Sequence, residues 1–200
     1  MDEGCIKFNC QWEKAGPVSH EHIREINAWR DKLYALGLIG QYPDGIGFGN
    51  ISIRAGKREF IITGTATGGL KKLSENHYVL VTDYDLKQNK AICRGPLRAS
   101  SESLTHAAIY ECSPETRSVI HVHSPEMWKK LMHELPTTRE EVAYGTPEMA
   151  LEIKRLFRET RVEEEKMVIM GGHPEGIIAF GKSPDEAGKI LLNRIKNNHH

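Results

Sequence analysis

The chain has 200 residues, 39% hydrophobic and 27% charged, which is enough for one domain with a substantial core. Lys+Arg and Asp+Glu balance at 27 each, so nothing global favours nucleic acid or an anionic membrane, and any phosphate site must be local. No apolar run approaches the ~20 residues a bilayer span needs. The acidic Met1-Asp2-Glu3-Gly4-Cys5 lacks a signal-peptide pattern, so a cytoplasmic protein is expected.

Residues 1–18 show little periodicity and are expected to form a loosely packed arm ahead of a single domain over residues 19–198. Ser19 is placed to cap a helix whose inner face carries Ile23, Ile26, Trp29, Leu33 and Leu36, ended by Gly37 or Gly40. A glycine-rich turn, Asp44-Gly45-Ile46-Gly47-Phe48-Gly49-Asn50, leads into a predicted hairpin of strands 50–54 and 59–63 around Gly56. Thr63-Gly64-Thr65-Ala66-Thr67-Gly68-Gly69 is a second small-residue loop. Strands follow at 78–82 and 91–93, then a helix over 101–111 with Leu104 and Ala108 inward. The run Ser118-Val119-Ile120-His121-Val122-His123 reads as a strand, followed by helices near 125–134 and over 147–160, the latter opened by Pro147. Strands 166–170 and 176–180 flank the turn Gly171-Gly172-His173-Pro174-Glu175, and Ser183-Pro184-Asp185-Glu186 opens a last helix. Helices interspersed among hairpin-like strands imply an α/β sandwich with a largely antiparallel sheet.

The chemistry concentrates around His121 and His123. Side chains at i and i+2 of a strand share a face, so both imidazoles can aim at one divalent metal. A third ligand is needed, and His173 and Glu175 are the candidates. Glu102 opens the helix after Ala99-Ser100-Ser101 and can bring a carboxylate nearby, although a first-turn glutamate is ordinarily solvent-facing. His106, four residues on, also permits a simple Glu–His pair. Cys5 and Cys10 are too loosely spaced, with no second pair, to make a strong metal motif. Gly49-Asn50, Thr63-Gly64-Thr65, Thr67-Gly68 and Ser100-Ser101 offer N–H groups and short polar side chains that suit a phosphate, or that simply make turns.

Taken in order, five segments resemble the class II aldolase/adducin family. They are Gly49-Asn50-Ile51-Ser52, Ile62-Thr63-Gly64-Thr65, Ser100-Ser101-Glu102 with His106, His121-Val122-His123-Ser124 and Gly176-Ile177-Ile178-Ala179-Phe180-Gly181. The resemblance implies a three-layer α/β/α sandwich and a site for zinc or another divalent transition metal. It implies a phosphate pocket lined by Gly49, Asn50, Thr63, Gly64, Thr65, Thr67, Gly68, Ser100 and Ser101, with Glu102 as acid/base. The implied reaction is aldol cleavage or condensation of a small ketose phosphate, or a related carbonyl compound, through a metal-stabilised enediolate. The implied assembly is a homo-oligomer, with a tetramer favoured. A related epimerase or dehydratase, or a non-catalytic adducin-like scaffold, is the alternative. The family's third histidine usually stands directly before the glycine of the last strand. Here Glu175 holds that position and His173 lies two residues earlier; His173 is favoured as the third ligand, because an imidazole matches the other two, with Glu175 as the alternative.

Overall fold

A computed structural model describes residues 6–197. Among them, eight strands form one sheet: β1 (Asn9–Lys14), β4 (Asn50–Arg54), β5 (Phe60–Thr63), β6 (Tyr78–Asp85), β7 (Lys90–Gly95), β8 (Ser118–His123), β9 (Met167–Ile169) and β10 (Gly176–Gly181). Their order is β1-β7-β6-β5-β4-β8-β10-β9. All neighbours are antiparallel except β1 and β7. A two-stranded ribbon of β2 (Gly40–Gln41) and β3 (Gly47–Phe48) stands apart.

Two hydrophobic cores make the three layers. Val119, Ile178 and Phe180 pack with α2 (Ser103–Cys112) and α4 (Pro147–Glu159), which is followed by the short α5 (Val162–Glu165). Ile120, Val122, Ile177 and Ala179 pack on the opposite face with α1 (His20–Ala35) and α6 (Pro184–Asn197). The helix α3 (Pro125–Leu131) joins this second core through Met127 and Leu131. By strand alternation, His121 and His123 lie on the same face as Val119, toward α2. No helix among the described residues is long and apolar enough to cross a membrane.

Three sequence expectations are corrected. Over Asn9–Lys14 the expected loose arm is an edge strand: Cys10 and Trp12 alternate inward, and the Trp12 indole N–H donates to the Gly95 carbonyl at 3.0 Å. Two inward residues give too short a period to be read from sequence. Cys10 Sγ lies 3.2 Å from Cys93 Sγ, and both are thiols, so Cys10 is engaged within the sheet; Cys5 lies outside the described residues. On α1, Leu36 is 53% exposed, and Arg30 is buried instead. The helix stops at Gly37, not Gly40. Gly37 takes φ +70°, the Gly37 N–H returns to the Tyr34 carbonyl, and the Leu38 N–H returns to the Leu33 carbonyl. The third correction concerns α2, which is buried on every side from Ser103 to Tyr110 because α4 covers the face away from the sheet.

Candidate metal centre

The histidine strand β8 is held on both sides. His121 stands opposite Asn50 on β4 and Ile178 on β10, and His123 stands opposite Gly176. Such a strand cannot slip without turning every side chain to the other face. His173 reaches the same point from the turn between β9 and β10. That turn is closed by bonds from the Met170 N–H to the Gly176 carbonyl (3.0 Å) and from the Gly176 N–H to the His173 carbonyl (2.9 Å). Gly171 and Gly172 let the turn lie flat against residues 138–142. A Cβ at Gly172 would sit 1.9 Å from the Val142 carbonyl oxygen, and one at Gly171 2.3 Å from that of Thr138.

The three imidazoles each offer a nitrogen within 4.8 Å of the others, and all three residues are buried. His121 Nε2 and His123 Nε2 are 3.1 Å apart. Tetrahedral nitrogen ligands ~2.0–2.1 Å from a zinc ion lie about 3.3 Å from one another, so this spacing fits. The tautomers fit as well. His121 Nδ1 is 3.3 Å from the Ile177 carbonyl, which only accepts, so Nδ1 carries the proton and Nε2 presents its lone pair. The cluster can coordinate a divalent metal ion.

Electrostatics favour the ligating form. Burial pushes His121 well below the ordinary histidine range, helped by its neighbours His123 and His173. Burial, then His173, brings His123 down to about 3, and burial alone brings His106 to about 3. A histidine held neutral when folded takes up its proton only on unfolding, so its contribution is lost as pH falls from the unfolded value near 6.5 toward about 3. The metal-free protein is therefore expected to be less stable at pH 5 than at pH 7.5, read as a lower urea midpoint. An unchanged midpoint would show that these rings are not held neutral.

Glu102, at the N-cap of α2, is 2% exposed, unlike the ordinary solvent-facing first-turn glutamate. Its Oε1 lies 3.6 Å from His173 Nδ1, and Thr105 Oγ1 donates to its Oε2 at 2.7 Å. His106 takes other partners than the Glu102 that the helix spacing permits: His106 Nδ1 bonds Ser52 Oγ at 2.7 Å, and Ser52 Oγ bonds the Tyr110 hydroxyl at 2.7 Å. Glu175 does not join the three-nitrogen cluster. Its Oε2 is 4.0 Å from His123 Nδ1 and accepts from the Tyr42 hydroxyl at 2.6 Å.

The three histidines and Glu102 open into a pocket whose wall includes Gly49, Asn50, Gly64, Thr65, Thr67, Gly68, Ser100 and Ser101. Thr63 is not on that wall; its hydroxyl accepts from the Ile51 N–H at 3.3 Å inside the sheet. Gly64 and Thr65 line the pocket, but their N–H groups are spent on the His77 and Arg98 carbonyls (2.8 and 2.9 Å). Asn50 Oδ1 is buried with no hydrogen-bond partner among the described residues. Gly49 takes φ +76°, and a Cβ there would meet Ile39 Cγ1 at 2.7 Å and the His121 carbonyl oxygen at 3.1 Å, so its close approach to both depends on glycine.

Four contributors escape the sequence reading. Phe48 stacks on His123 (5.3 Å between centroids), and Tyr144 stacks on His173 (4.4 Å). Tyr42 bonds His123 Nδ1 at 2.8 Å. Arg30, wholly buried on α1, donates from Nη2 to the carbonyls of Thr67 and Gly68 at 3.0 and 2.9 Å. The only sequence signals were an aromatic beside a glycine turn and a charged residue inside an apolar stripe.

The fold and the three-histidine site together define a metal-binding α/β/α sandwich. The chain belongs to the family described as the class II aldolase and adducin N-terminal domain, whose profile matches residues 41–193. Three solved structures share the fold. An L-fuculose-1-phosphate aldolase from Thermus thermophilus aligns over 90% of this chain and 92% of its own, with TM-score 0.65 and 19% identity. A sugar-phosphate aldolase from Thermotoga maritima aligns over 90% and 93%, with TM-score 0.66 and 19% identity. YgbL from Escherichia coli aligns over 88% and 86%, with TM-score 0.65 and 16% identity. No curated protein sequence matches the chain significantly.

Proposed function

We propose that the protein is a class II aldolase-type lyase that breaks and forms a carbon–carbon bond in a small ketose phosphate or related carbonyl compound. The observation that carries this is the meeting of three buried imidazoles with one buried carboxylate at the floor of a small-residue pocket. His121, His123 and His173 would hold Zn2+ or another divalent transition metal. A cation there supplies a Lewis acid for the substrate's carbonyl and hydroxyl oxygens. Glu102 takes or returns the proton at the carbon next to the carbonyl. In cleavage, the bond between the third and fourth carbons breaks as the hydroxyl on the fourth carbon gives up its proton and becomes the aldehyde oxygen. Glu102 delivers a proton to the third carbon, which keeps the electron pair, so that one proton passes overall from that hydroxyl to the third carbon. Asn50, Thr67, Gly68, Ser100 and Ser101 hold the phosphate and so orient the reacting carbons. Burial of the floor by Phe48 and Tyr144 keeps bulk water from the proton transfer.

The sugar-phosphate aldolases that share the fold support the substrate class. A glutamate at position 102, where the related epimerase has aspartate, supports lyase over epimerase chemistry. A catalytic unit over residues 19–198, a homotetramer and a cytoplasmic setting belong to the same reading. The free thiols of Cys10, Cys93 and Cys112 agree with that setting.

The test is metal analysis followed by a panel of ketose phosphates assayed for release of dihydroxyacetone phosphate. About one equivalent of metal per chain and release from at least one member are expected. Less than about a tenth of an equivalent after reloading would overturn the proposal.

A further inference from the structure

We propose that Tyr42 and Glu175 are a positioning pair for the metal centre, with the tyrosine hydroxyl bridging the carboxylate to the outer nitrogen of His123. This rests on the metal site proposed above and gives position 175 a role other than ligand.

The argument is a count of protons. The Tyr42 hydroxyl lies 2.6 Å from Glu175 Oε2 and 2.8 Å from His123 Nδ1. An ionised carboxylate only accepts, so the single phenolic proton points to Glu175. The phenolic oxygen must then accept from His123, which puts the ring proton on Nδ1. Nε2 is left with its lone pair, and Nε2 is the nitrogen that faces His121 Nε2 at 3.1 Å. Glu175 cannot do this alone, because its Oε2 is 4.0 Å from His123 Nδ1, beyond a hydrogen bond.

The backbone is arranged for the bridge. Tyr42 sits in the turn of the β2–β3 ribbon, closed by its own N–H to the Ile46 carbonyl (2.8 Å) and by the Gly45 N–H to its carbonyl (2.9 Å). Its ring packs on Phe48 at 4.6 Å, and Phe48 in turn stacks on His123. Glu175 takes φ +69°, a left-handed conformation that is strained for a non-glycine residue. Its carbonyl accepts from the Ser124 N–H at 3.0 Å, tying this strained residue to the chain just past His123. Strain held in place beside a ligand fits a carboxylate needed at that point. Outer partners of metal-bound histidines fix ring orientation and tautomer, and their loss typically lowers metal affinity about 10- to 100-fold.

The experiment measures Zn2+ affinity by chelator competition on the full-length protein, for wild type, Tyr42→Phe, Glu175→Gln and the double variant. Each single variant is expected to bind one equivalent with affinity lowered about 10- to 100-fold. The double variant should fall no further than the weaker single, because the two groups act as one unit. Unchanged affinity in both singles would overturn the proposal. Loss of the bound equivalent in Glu175→Gln with Tyr42→Phe unaffected would also overturn it, making Glu175 a direct ligand. A second measurement reads the tautomer itself. Imidazole 15N shifts of the metal-free protein should show His123 protonated at Nδ1 in wild type and moving toward Nε2 in Tyr42→Phe. An Nε2-protonated wild type would refute the bridge. Failure of wild type to bind metal would sink the proposed function, while this second measurement would still decide the role of Tyr42.

Discussion

Replacing Glu102 by glutamine is expected to leave bound metal at about one equivalent and to slow proton exchange next to the substrate carbonyl by about 10²–10⁴-fold. The two effects separate because the three imidazoles supply the ligand set without the carboxylate. Glutamine keeps the shape and an oxygen for the Thr105 hydroxyl, which now donates to Glu102 Oε2 at 2.7 Å. It loses the basic oxygen near the centre, where Oε1 stands 3.6 Å from His173 Nδ1. Solvent deuterium incorporation into the ketose phosphate, with metal content on the same sample, makes the comparison. Exchange at the wild-type rate would remove Glu102 from the reaction.

The parts of this site that obey a short period are readable in sequence, and those set by turn geometry or long-range packing are not. His121 and His123 share a face because a strand alternates, and no fold knowledge is needed to see it. The sheet is legible for the same reason, since β4 to β8 carry apolar runs bounded by glycine or charged turns. Ligand type alone favours His173 over Glu175 in the sequence, because which of two turn residues points inward depends on the backbone conformation. Glu175 adopts φ +69°, while Gly171 and Gly172 press the turn against residues 138–142, and neither feature has a sequence period. At Glu102 the motif order and the local tendency disagree. Its local setting, the first turn of a helix, points to solvent, yet α2 lies between the sheet and α4, so the residue is buried. Tyr42 and Tyr144 come from segments without periodicity. They reach the histidines through tertiary contacts alone.

Arg30 is buried on α1, where an arginine is ordinarily exposed. Its replacement by methionine is expected to lower stability by about 2–6 kcal/mol, against a typical total of roughly 5–15 kcal/mol. One guanidinium nitrogen serves the carbonyls of both Thr67 and Gly68, two buried residues. Removing a buried ion together with its partners can be neutral, since desolvation cost disappears along with the attraction. Here only one partner is removed. Two carbonyls stay behind, and a buried acceptor left unmade costs about 1–3 kcal/mol. Burial already holds the Arg30 pKa below its ordinary value, but a guanidinium remains charged at neutral pH, so the clamp persists. The clamp also orients the loop. In a trans peptide the N–H points opposite to the preceding carbonyl, so fixing the Thr67 and Gly68 carbonyls toward α1 turns the Gly68 and Gly69 N–H groups away from it. Arg30→Met is therefore expected to weaken binding of the substrate phosphate as well, without changing metal content. Arg30→Lys keeps the charge and should recover part of the stability. Urea unfolding gives the first effect and the substrate KM the second. A methionine variant with wild-type stability and KM would mean that the Thr65–Gly69 loop holds its shape without the buried cation.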